Sequence, residues 1–155
     1  MLGAKLVNGD NDCTPELIQE LVRNRGRAEI VIPYLAKDPR DIKRRMLSWV
    51  FIRLVRFLSG TYLRYYNCTV VHLTENINQW DGHPSGYGYQ AELLCDLVRE
   101  GKSYIEFPIT VRLRQSGSSK AFSVRNILSV GASLSRIFMR NMQYLVRLKS
   151  RSSAG

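Results

Sequence analysis

The chain has 155 residues, 45% of them hydrophobic, and this length and apolar content predict one folded globular domain. Its formal net charge of +10 indicates a polyanionic partner, which could be nucleic acid, an anionic membrane surface or a phosphorylated ligand. The three cysteines, Cys13, Cys68 and Cys95, match neither a disulfide framework nor a zinc-ligand spacing, and we find neither a signal peptide nor an uninterrupted apolar stretch of about 18 residues. Composition therefore argues against a secreted or membrane-spanning protein and predicts a reducing compartment.

The first elements alternate between strand and helix. Residues 5–8 predict a short strand that runs into an acidic turn. Thr14 and Pro15 are typical of a helix start, a hydroxyl cap followed by proline, and the helix ends at about residue 24. The mostly apolar residues 28–34 predict a strand from the middle of a sheet. This order favours a parallel sheet with a right-handed crossover.

Residues 41–59 predict a long helix, and Asp41 at its start complements the helix dipole. At about 100° per residue, Arg45, Arg53 and Arg56 fall on one arc of about 80°, and nearly all other positions are apolar. The sequence leaves two interpretations open. The helix belongs to the core and has one solvated arginine edge, or it is interfacial and touches lipid while its arginines meet head groups.

The centre of the chain predicts two further strands around a helix. Residues 68–74 predict a strand, and residues 75–85 a loop with turn signals. Apolar residues then recur at helical spacing over 91–98, and Gly101 stops that helix. Residues 104–111 predict a strand whose proline suits an edge or a bend.

The C-terminal part of the chain is basic. Residues 112–120 predict a flexible loop, rich in hydroxyls and flanked by cations, that suits a phosphate. Residues 124–148 predict an amphipathic helix that can pack on a protein or lie on a bilayer. Residues 149–155 predict a disordered tail. One stripe of the helix carries Arg136, Arg140, Arg147 and Arg151.

Asp10 and Asp12 are the candidate metal ligands. Two carboxylates two residues apart at a strand end can reach one divalent cation that also holds a diphosphate, and hard oxygen ligands favour Mg²⁺ or Mn²⁺. Short acidic turns before a helix are also common without a metal. His72, in an apolar strand, and His83, in a turn, are interpreted as structural residues.

The order of several motifs resembles the family 2 glycosyltransferases of GT-A type, and within them the polyprenyl (dolichyl) phosphate sugar transferases. The resemblance covers roughly residues 6 to 135, and its last motif is quite specific. The motifs are an Asp-x-Asp turn before a helix (GDNDCTPE, 9–16), a basic helix start (KRRMLS, 43–48), an aromatic turn (YYN, 65–67), a glycine-aromatic-glutamate helix start (GYGYQAEL, 86–93) and a strand leading to an R-x-x-G-x-S-K loop (EFPIT, 106–110, then RQSGSSK, 114–120).

The resemblance implies an α/β fold, a partial GT-A (Rossmann-like) glycosyltransferase domain with a C-terminal amphipathic helix. It also implies an inverting reaction, in which the acceptor oxygen attacks the anomeric carbon in line while a divalent cation stabilises the leaving diphosphate. The partners would be a nucleotide-sugar and a polyprenyl phosphate. The residues carried over are Asp10 and Asp12 for the metal-bound sugar nucleotide, and Arg44, Arg114, Ser119 and Lys120 for the acceptor phosphate.

A polyprenyl phosphate is already an anion near pH 7, so its transfer needs no general base. A hydroxyl acceptor would instead require a carboxylate base, and Glu92 or Asp81 is the candidate. The alternative for Glu92 is a first-turn acid that complements the helix dipole. The alternative for Arg44 is a solvated flank of its helix.

The chain departs from the family pattern in three places. Thr14 stands where a further metal-contacting side chain is often found, Cys68 stands where glycine is usual, and the first half of the domain, which binds the nucleotide base, is missing. We therefore expect residues 1–121 to be the C-terminal part of a transferase domain. Residues 122–148 would be an amphipathic, possible interfacial helix and residues 149–155 a basic tail. A separate N-terminal half or a second copy of the chain is a possible partner.

The competing interpretation is a non-catalytic basic module that binds a membrane surface or another anion. No RNA- or DNA-binding motif accompanies the charge, so nucleic acid is not an expected partner. Both interpretations predict a cytoplasmic protein that is peripheral at the inner membrane face.

Overall fold

The computed structural model describes residues 3–6, 14–82, 86, 88–110 and 124–152. These residues form a mixed α/β arrangement of strands and helices. In chain order the elements are β1 (Gly3–Leu6), α1 (Pro15–Arg23), β2 (Ile30–Lys37), α2 (Ile42–Ser59), β3 (Val70–Leu73), α3 (Thr74–Asn78), α4 (Tyr89–Arg99), β4 (Tyr104–Thr110) and α5 (Val124–Ser152).

The strands form one mixed sheet in the order β1-β3-β2-β4. Strand β3 pairs antiparallel with both β1 and β2, and β2 pairs parallel with β4. Strands β1 and β2 run in the same direction, as the predicted β-α-β order favours, but the sheet is mixed and not parallel, because the antiparallel β3 lies between them. Which strands become neighbours depends on contacts between distant segments, and local patterns do not specify it.

Both faces of strand β2 contribute to the core. Ile30 and Ile32 of β2 pack on one face with residues of α2, α4 and α5. Val31, between them, packs on the other face with Leu17 and Leu21 of α1. Since successive side chains of a strand point to opposite faces, burial on both sides explains why β2 is a continuous apolar run.

Local signals set three of the helix ends as predicted. The Thr14 hydroxyl caps α1 by accepting from the amide of Leu17 at 3.3 Å. Asp41 caps α2. After α4, Gly101 adopts a φ of 80° while the amide of Lys102 donates to the carbonyl of Leu97 at 3.1 Å. This left-handed glycine stop is the one the sequence predicted.

Two other boundaries were predicted wrongly. Residues 75–78, which were predicted as the start of a loop, belong to helix α3. The turn signals at Asp81 and Gly82 come after these residues and do not interrupt the helix. Helix α5 continues to Ser152, so residues 149–152 are helical and not part of a disordered tail. No proline or glycine interrupts the helix there.

Helix α5 crosses the beginning of α4 at two glycines. A Cβ atom on Gly88 would clash with the Cβ and Oγ atoms of Ser133, and one on Gly86 would clash with Oγ of Ser129. Gly86 also has a φ of +84°, which other residues rarely adopt. The glycines of this motif are therefore explained by the close approach of α5.

Helix α2 contributes one narrow side to the core and exposes the rest of its surface. Only Val55 and Ser59 of its 18 residues are buried. The interpretation of a core helix that is exposed only along an arginine edge is therefore wrong among the described residues. The large apolar side chains that α2 exposes are Ile42, Met46, Leu47, Trp49, Val50, Leu54 and Phe57.

Candidate functional site

Three of the predicted site segments follow strands that end at one edge of the sheet. Strands β1, β2 and β4 run in the same direction, so their C-terminal ends lie at the same edge. The Asp-x-Asp turn follows β1 in sequence, helix α2 follows β2, and the R-x-x-G-x-S-K segment follows β4. With about 4.8 Å between neighbouring strands, β1 and β4 are about 14 Å apart. The predicted site residues that lie outside the described ones are Asp10, Asp12, Arg114, Ser119 and Lys120.

Arg44 lies in the first turn of α2. Its backbone amide donates to the capping carboxylate of Asp41 at 2.8 Å. The guanidinium Nε is 3.6 Å from the same carboxylate, and the side chains of Arg44 and Asp41 are 36% and 63% exposed. Asp41 therefore offsets part of the positive charge of Arg44, although the arginine stays accessible at the sheet edge.

Next to Arg44 is a cleft of about 530 Å³, which we call the α2 cleft. It lies between the end of β2, the first turns of α2 and the loop that follows α2. This volume is within the range of small-ligand sites. Its lining residues are Tyr34, Leu35, Asp38, Ile42, Arg45, Met46, Ser48, Trp49, Ile52, Arg64 and Tyr65.

The α2 cleft carries unneutralised positive charge. Its carboxylate, Asp38, accepts hydrogen bonds from Nε and the terminal nitrogen of Arg40 at 2.7 and 2.6 Å. These bonds, and the nearby charges of Arg40 and Arg45, hold the pKa of Asp38 below its ordinary value. By contrast, the guanidinium groups of Arg45 and Arg64 form no ion pair with a carboxylate of the described residues. The cleft therefore favours an anion.

Arg64 is held in place by its surroundings. Its guanidinium carbon is 4.5 Å from the centre of the Tyr34 ring, a cation–π contact. Its backbone amide donates to Glu106 at 2.6 Å. The guanidinium of Arg56 donates twice to the carbonyl of Leu63, in the same peptide group, at 3.0 and 2.8 Å. Arg56 was predicted to belong to a solvated arginine edge. That prediction is wrong, because its guanidinium is bonded to the loop that carries Arg64.

Tyr66 secures the same loop from the core. The ring is fully buried, and its hydroxyl donates to the carbonyl of Thr61 at 2.9 Å. The same hydroxyl accepts from the amide of Leu63 at 3.2 Å. Desolvation by burial raises the pKa of Tyr66, so the neutral phenol persists. Tyr66, a residue of the predicted aromatic turn, therefore fixes this loop to the core.

Glu92 lies in the first turn of α4 and is 1% exposed. Its two carboxylate oxygens accept from Nε and the terminal nitrogen of Arg136 on α5, at 2.9 and 2.8 Å. This bonding raises the pKa of Arg136. Glu92 is thus engaged in joining α4 to α5, and its role as a base for a hydroxyl acceptor stays a prediction.

Asp81, the other candidate base, lies at an exposed position. Arg140 donates to it at 2.8 Å and also to the buried Asp96 at 2.7 Å. The bond from Arg140 lowers the pKa of Asp81. Two members of the predicted arginine stripe, Arg136 and Arg140, are therefore ion-paired to the domain and do not form a free cationic surface.

His72 is buried in β3, and neither ring nitrogen has a hydrogen-bond partner among the described residues. Desolvation lowers its pKa to about 4, so the imidazole is neutral at pH 7. The burial and the lowered pKa agree with the interpretation of His72 as a structural residue. His83 lies outside the described residues.

Helices α2 and α5 together expose a large apolar surface. They pack on each other, and the side-chain amide of Asn141 donates to the carbonyl of Leu58 at 2.9 Å. At 100° per residue the exposed apolar residues of α2 cover an arc of about 160°. Neither helix contains an aspartate or a glutamate. The exposed apolar residues of α5 are Ile127, Leu128, Phe138, Met139, Met142, Leu145, Val146 and Leu148.

Two negative findings apply to the described residues. None of their helices is long and apolar enough to cross a membrane. They also contain no group of three or more His, Cys, Asp or Glu side chains that could hold a metal ion. The predicted pair of metal ligands is outside this part of the chain, so the Mg²⁺ or Mn²⁺ site stays a prediction.

Sequence reasoning missed Arg64 and Tyr34 as cleft residues. Arg64 stands directly before the predicted aromatic turn, which is the one signal that could have drawn attention to it. Tyr34 looks like an ordinary strand residue. No model of a known protein family matches this chain, and no curated protein matches it either, so the family resemblance rests on the motifs alone.

Proposed function

We propose that this chain is the acceptor-side part of a family 2 glycosyltransferase of GT-A type, which transfers a sugar from a nucleotide-sugar to a polyprenyl phosphate at a membrane surface. The observation that carries the proposal is the common edge of the sheet. Ligands of open α/β sheets bind outside the carboxyl ends of the strands. Strand β1, which precedes the predicted donor segment in sequence, and strand β4, which precedes the predicted acceptor segment, both end at that edge.

The distance across the edge suits the reaction. About 14 Å between β1 and β4 leaves room for a sugar between two phosphate groups. In the proposed step, an acceptor phosphate oxygen forms a bond to the anomeric carbon. The bond from that carbon to the nucleoside diphosphate breaks, and the electron pair leaves with the diphosphate. A divalent cation bound by Asp10 and Asp12 would supply the charge that stabilises this leaving group.

The acceptor side needs cations and not a base, because its nucleophile is already ionised. The accessible Arg44 in the first turn of α2 and the cations of the α2 cleft support this assignment. Arg114, Ser119 and Lys120 are assigned to the acceptor by resemblance. Since Glu92 is paired with Arg136, a phosphate acceptor also agrees better with the geometry than a hydroxyl acceptor does.

Replacement of Asp10 or Asp12 by alanine is expected to weaken Mn²⁺ binding at least about tenfold in the presence of a nucleoside diphosphate, because each removes one charged oxygen ligand. Isothermal titration of the full chain with Mn²⁺, in the presence of UDP or GDP, measures this. Glu20→Ala on α1 removes the same charge elsewhere and should change nothing. We expect UDP and GDP to behave alike, because the metal ion would contact the diphosphate that both share. Unchanged Mn²⁺ binding in both aspartate variants would refute the metal site and the donor side of the proposal.

The second candidate function is a non-catalytic module that binds an anionic membrane surface, and the exposed faces of α2 and α5 favour it. On these two helices apolar side chains alternate with cations, and neither helix contains an acidic residue. Trp49, for example, lies under the guanidinium of Arg53 at 5.2 Å. Such a surface suits the boundary between head groups and acyl chains. Substituting Asp10 and Asp12 separates the two functions, because a membrane module would keep its lipid binding without them.

Val50→Glu on α2 and Val146→Glu on α5 are each expected to reduce binding to anionic vesicles about tenfold, because each places a negative charge in the apolar surface. Flotation with phosphatidylglycerol vesicles at low and high salt measures this, and binding should fall as salt rises. Val22→Glu on α1 is the matched control, since Val22 is also exposed and the substitution is the same. If the unaltered chain did not float with the vesicles in either buffer, binding to a membrane surface would be excluded as its function.

A further inference from the structure

Helix α5 has a second side that does not pack on the domain. Ser133 and Ile137, on the packed side, are fully buried. At 100° per residue, the middle of the second side lies about 150° from them. Its residues recur at alternating spacings of three and four, the pattern by which two helices pack along their length. We call this side the α5 seam, and its six exposed residues are Leu128, Gly131, Ser135, Phe138, Met142 and Leu145.

The exposed apolar area of α5 is that of an interface. Eight large apolar side chains of this helix are 44% to 67% exposed. At about 200 Å² for one large side chain, these fractions correspond to roughly 800 Å². The largest apolar patch on a typical monomer is about 300–600 Å², whereas each partner of a stable complex buries about 800 Å². Helix α5 alone therefore exposes enough apolar surface for a stable dimer.

Gly131 is a glycine that the described fold does not require. It lies inside α5, where glycine is one of the least favourable residues. A Cβ atom on Gly131 would meet nothing within 4 Å, whereas Gly86 and Gly88 are crowded by serines of α5. The hydroxyl of Ser135 donates to the carbonyl of Gly131 at 3.1 Å, so its hydrogen bond is made within the helix. Gly131 and Ser135 therefore form a notch that large apolar side chains of another helix can fill without burying an unpaired hydroxyl.

The α5 seam is complementary to a reversed copy of itself. Reversal exchanges the spacings of three and four, so an antiparallel second copy aligns with all six positions, and small residues then face large ones. A parallel pair would place glycine opposite glycine and phenylalanine opposite phenylalanine, which leaves a gap in one half of the seam and crowds the other. The facing pairs of the antiparallel arrangement are Leu128 with Leu145, Gly131 with Met142, and Ser135 with Phe138.

The charges of α5 are compatible with this pairing. No residue of the seam is charged, and Lys149, at the next position of the repeat, ends it. Arg136 and Arg140 lie off the seam and are paired with Glu92 and Asp96. In the antiparallel pair the Lys149 positions of the two copies are about 38 Å apart along the helices, which is several times the Debye length of about 10 Å. Repulsion between these ends is therefore weak.

We propose that two copies of this chain associate through the α5 seam, as an antiparallel helix pair whose twofold axis passes between Ser135 and Phe138. A second copy accounts for the notch at Gly131, whereas a fluid bilayer gives no reason for it. The exposed side of α2 is not part of this contact. The inference is independent of the proposed function, because no seam residue belongs to the predicted transferase site.

Sedimentation equilibrium of the full chain, without lipid or detergent, tests the inference. We expect a monomer–dimer equilibrium, seen as an apparent mass that rises with protein concentration to twice that of one chain. Because each copy carries a net charge of +10, the dimer should be tighter at high salt than at low salt. Binding to anionic vesicles changes with salt in the opposite direction, so the salt dependence distinguishes a second copy from a lipid surface.

Gly131→Leu is expected to weaken the dimer about tenfold or more, because it fills the notch that receives Met142 of the second copy. The same substitution should not lower the thermal unfolding midpoint of the dilute chain, since leucine favours helix and a Cβ atom there meets nothing within 4 Å. The double variant Gly131→Leu with Met142→Ala should recover part of the affinity, because alanine makes room for the leucine. Gln143→Leu adds a leucine to the same helix outside the seam and is the matched control.

Phe138→Glu places a charge in the seam and is also expected to weaken the dimer about tenfold or more. Val50→Glu on α2 introduces the same acid outside the seam, so it should leave the dimer intact while it reduces vesicle binding. Circular dichroism shows that each variant is folded.

The possible outcomes are distinct. A chain that stays monomeric in both buffers would overturn the inference, as would a dimer that neither Gly131→Leu nor Phe138→Glu weakens. A dimer that Gly131→Leu weakens and Met142→Ala does not restore would refute the antiparallel pairing. Absence of Mn²⁺ binding, with the seam-dependent dimer retained, would remove the proposed function and leave this inference standing.

Discussion

Arg136→Met is expected to destabilise the fold by about 3 kcal/mol, because it leaves the buried carboxylate of Glu92 without its partner. The full cost of an unpaired buried charge is about 3–5 kcal/mol, and the lower end applies because the side chain of Arg136 is 33% exposed, so water can reach part of the site. The same substitution also removes the donor that Ser133 accepts from at 3.0 Å. Urea unfolding followed by circular dichroism measures the difference.

The double variant Glu92→Leu with Arg136→Met should recover much of this loss, because no buried charge then remains. Arg147→Met is the matched control on the same helix. Arg147 is exposed and forms no ion pair with the described residues, so its replacement should change stability by less than about 0.5 kcal/mol. Equal stability of Arg136→Met and the control would show that the contact between Glu92 and Arg136 does not hold α5 on α4.

Lowering the pH from 7 to 4 is expected to cost the native state about 3 kcal/mol through His72 alone. Its ordinary pKa is 6.5, and burial lowers the folded-state pKa to about 4. Between these two values the unfolded chain binds a proton at His72 that the folded chain does not, so stability rises with pH. The contribution is complete above pH 6.5 and is lost as the pH falls toward 4. A difference of about 2.5 units corresponds to about 3 kcal/mol.

His72→Val isolates this effect. Valine fits a buried strand and has no titratable group, so the variant should lose the pH dependence between 6.5 and 4.5 and should be at least as stable at pH 7. The carboxylates with lowered pKa values, Glu29, Asp38 and Asp81, lose their stabilising contribution below about pH 4.5, which separates their effect from that of His72. Urea unfolding at several pH values provides the comparison. The same pH dependence in the variant and the unaltered chain would refute the assignment.

The helix starts and the glycine stop were predicted because each depends on neighbours in sequence. Thr14 bonds to an amide three residues on, and so does Asp41. Gly101 closes a turn with residues of the helix that it ends. Interactions over three to five residues are recorded in the local order of side chains, so a single sequence is enough to predict them.

The candidate site was predicted only in part. The sequence pointed to the anion-binding character of the chain and to Arg44, yet the α2 cleft brings together Tyr34, Arg45 and Arg64 from three separate segments. Glu106 and the amide of Arg64 are 42 positions apart, and Arg136 and Glu92 are 44 apart. No periodicity links such residues, because their contact depends on how the sheet and the helices pack.

The amino-acid order by itself determined the types of most elements, the ends of three helices and the cationic character of the chain, since these follow from local bonding and composition. Tertiary structure alone decided that β3 lies between β1 and β2, that the apolar side of α2 faces outward, and that two predicted surface arginines of α5 are paired with acids. The reason is that a side chain becomes buried, exposed or neutralised through its neighbours in space, and those neighbours come from distant parts of the chain.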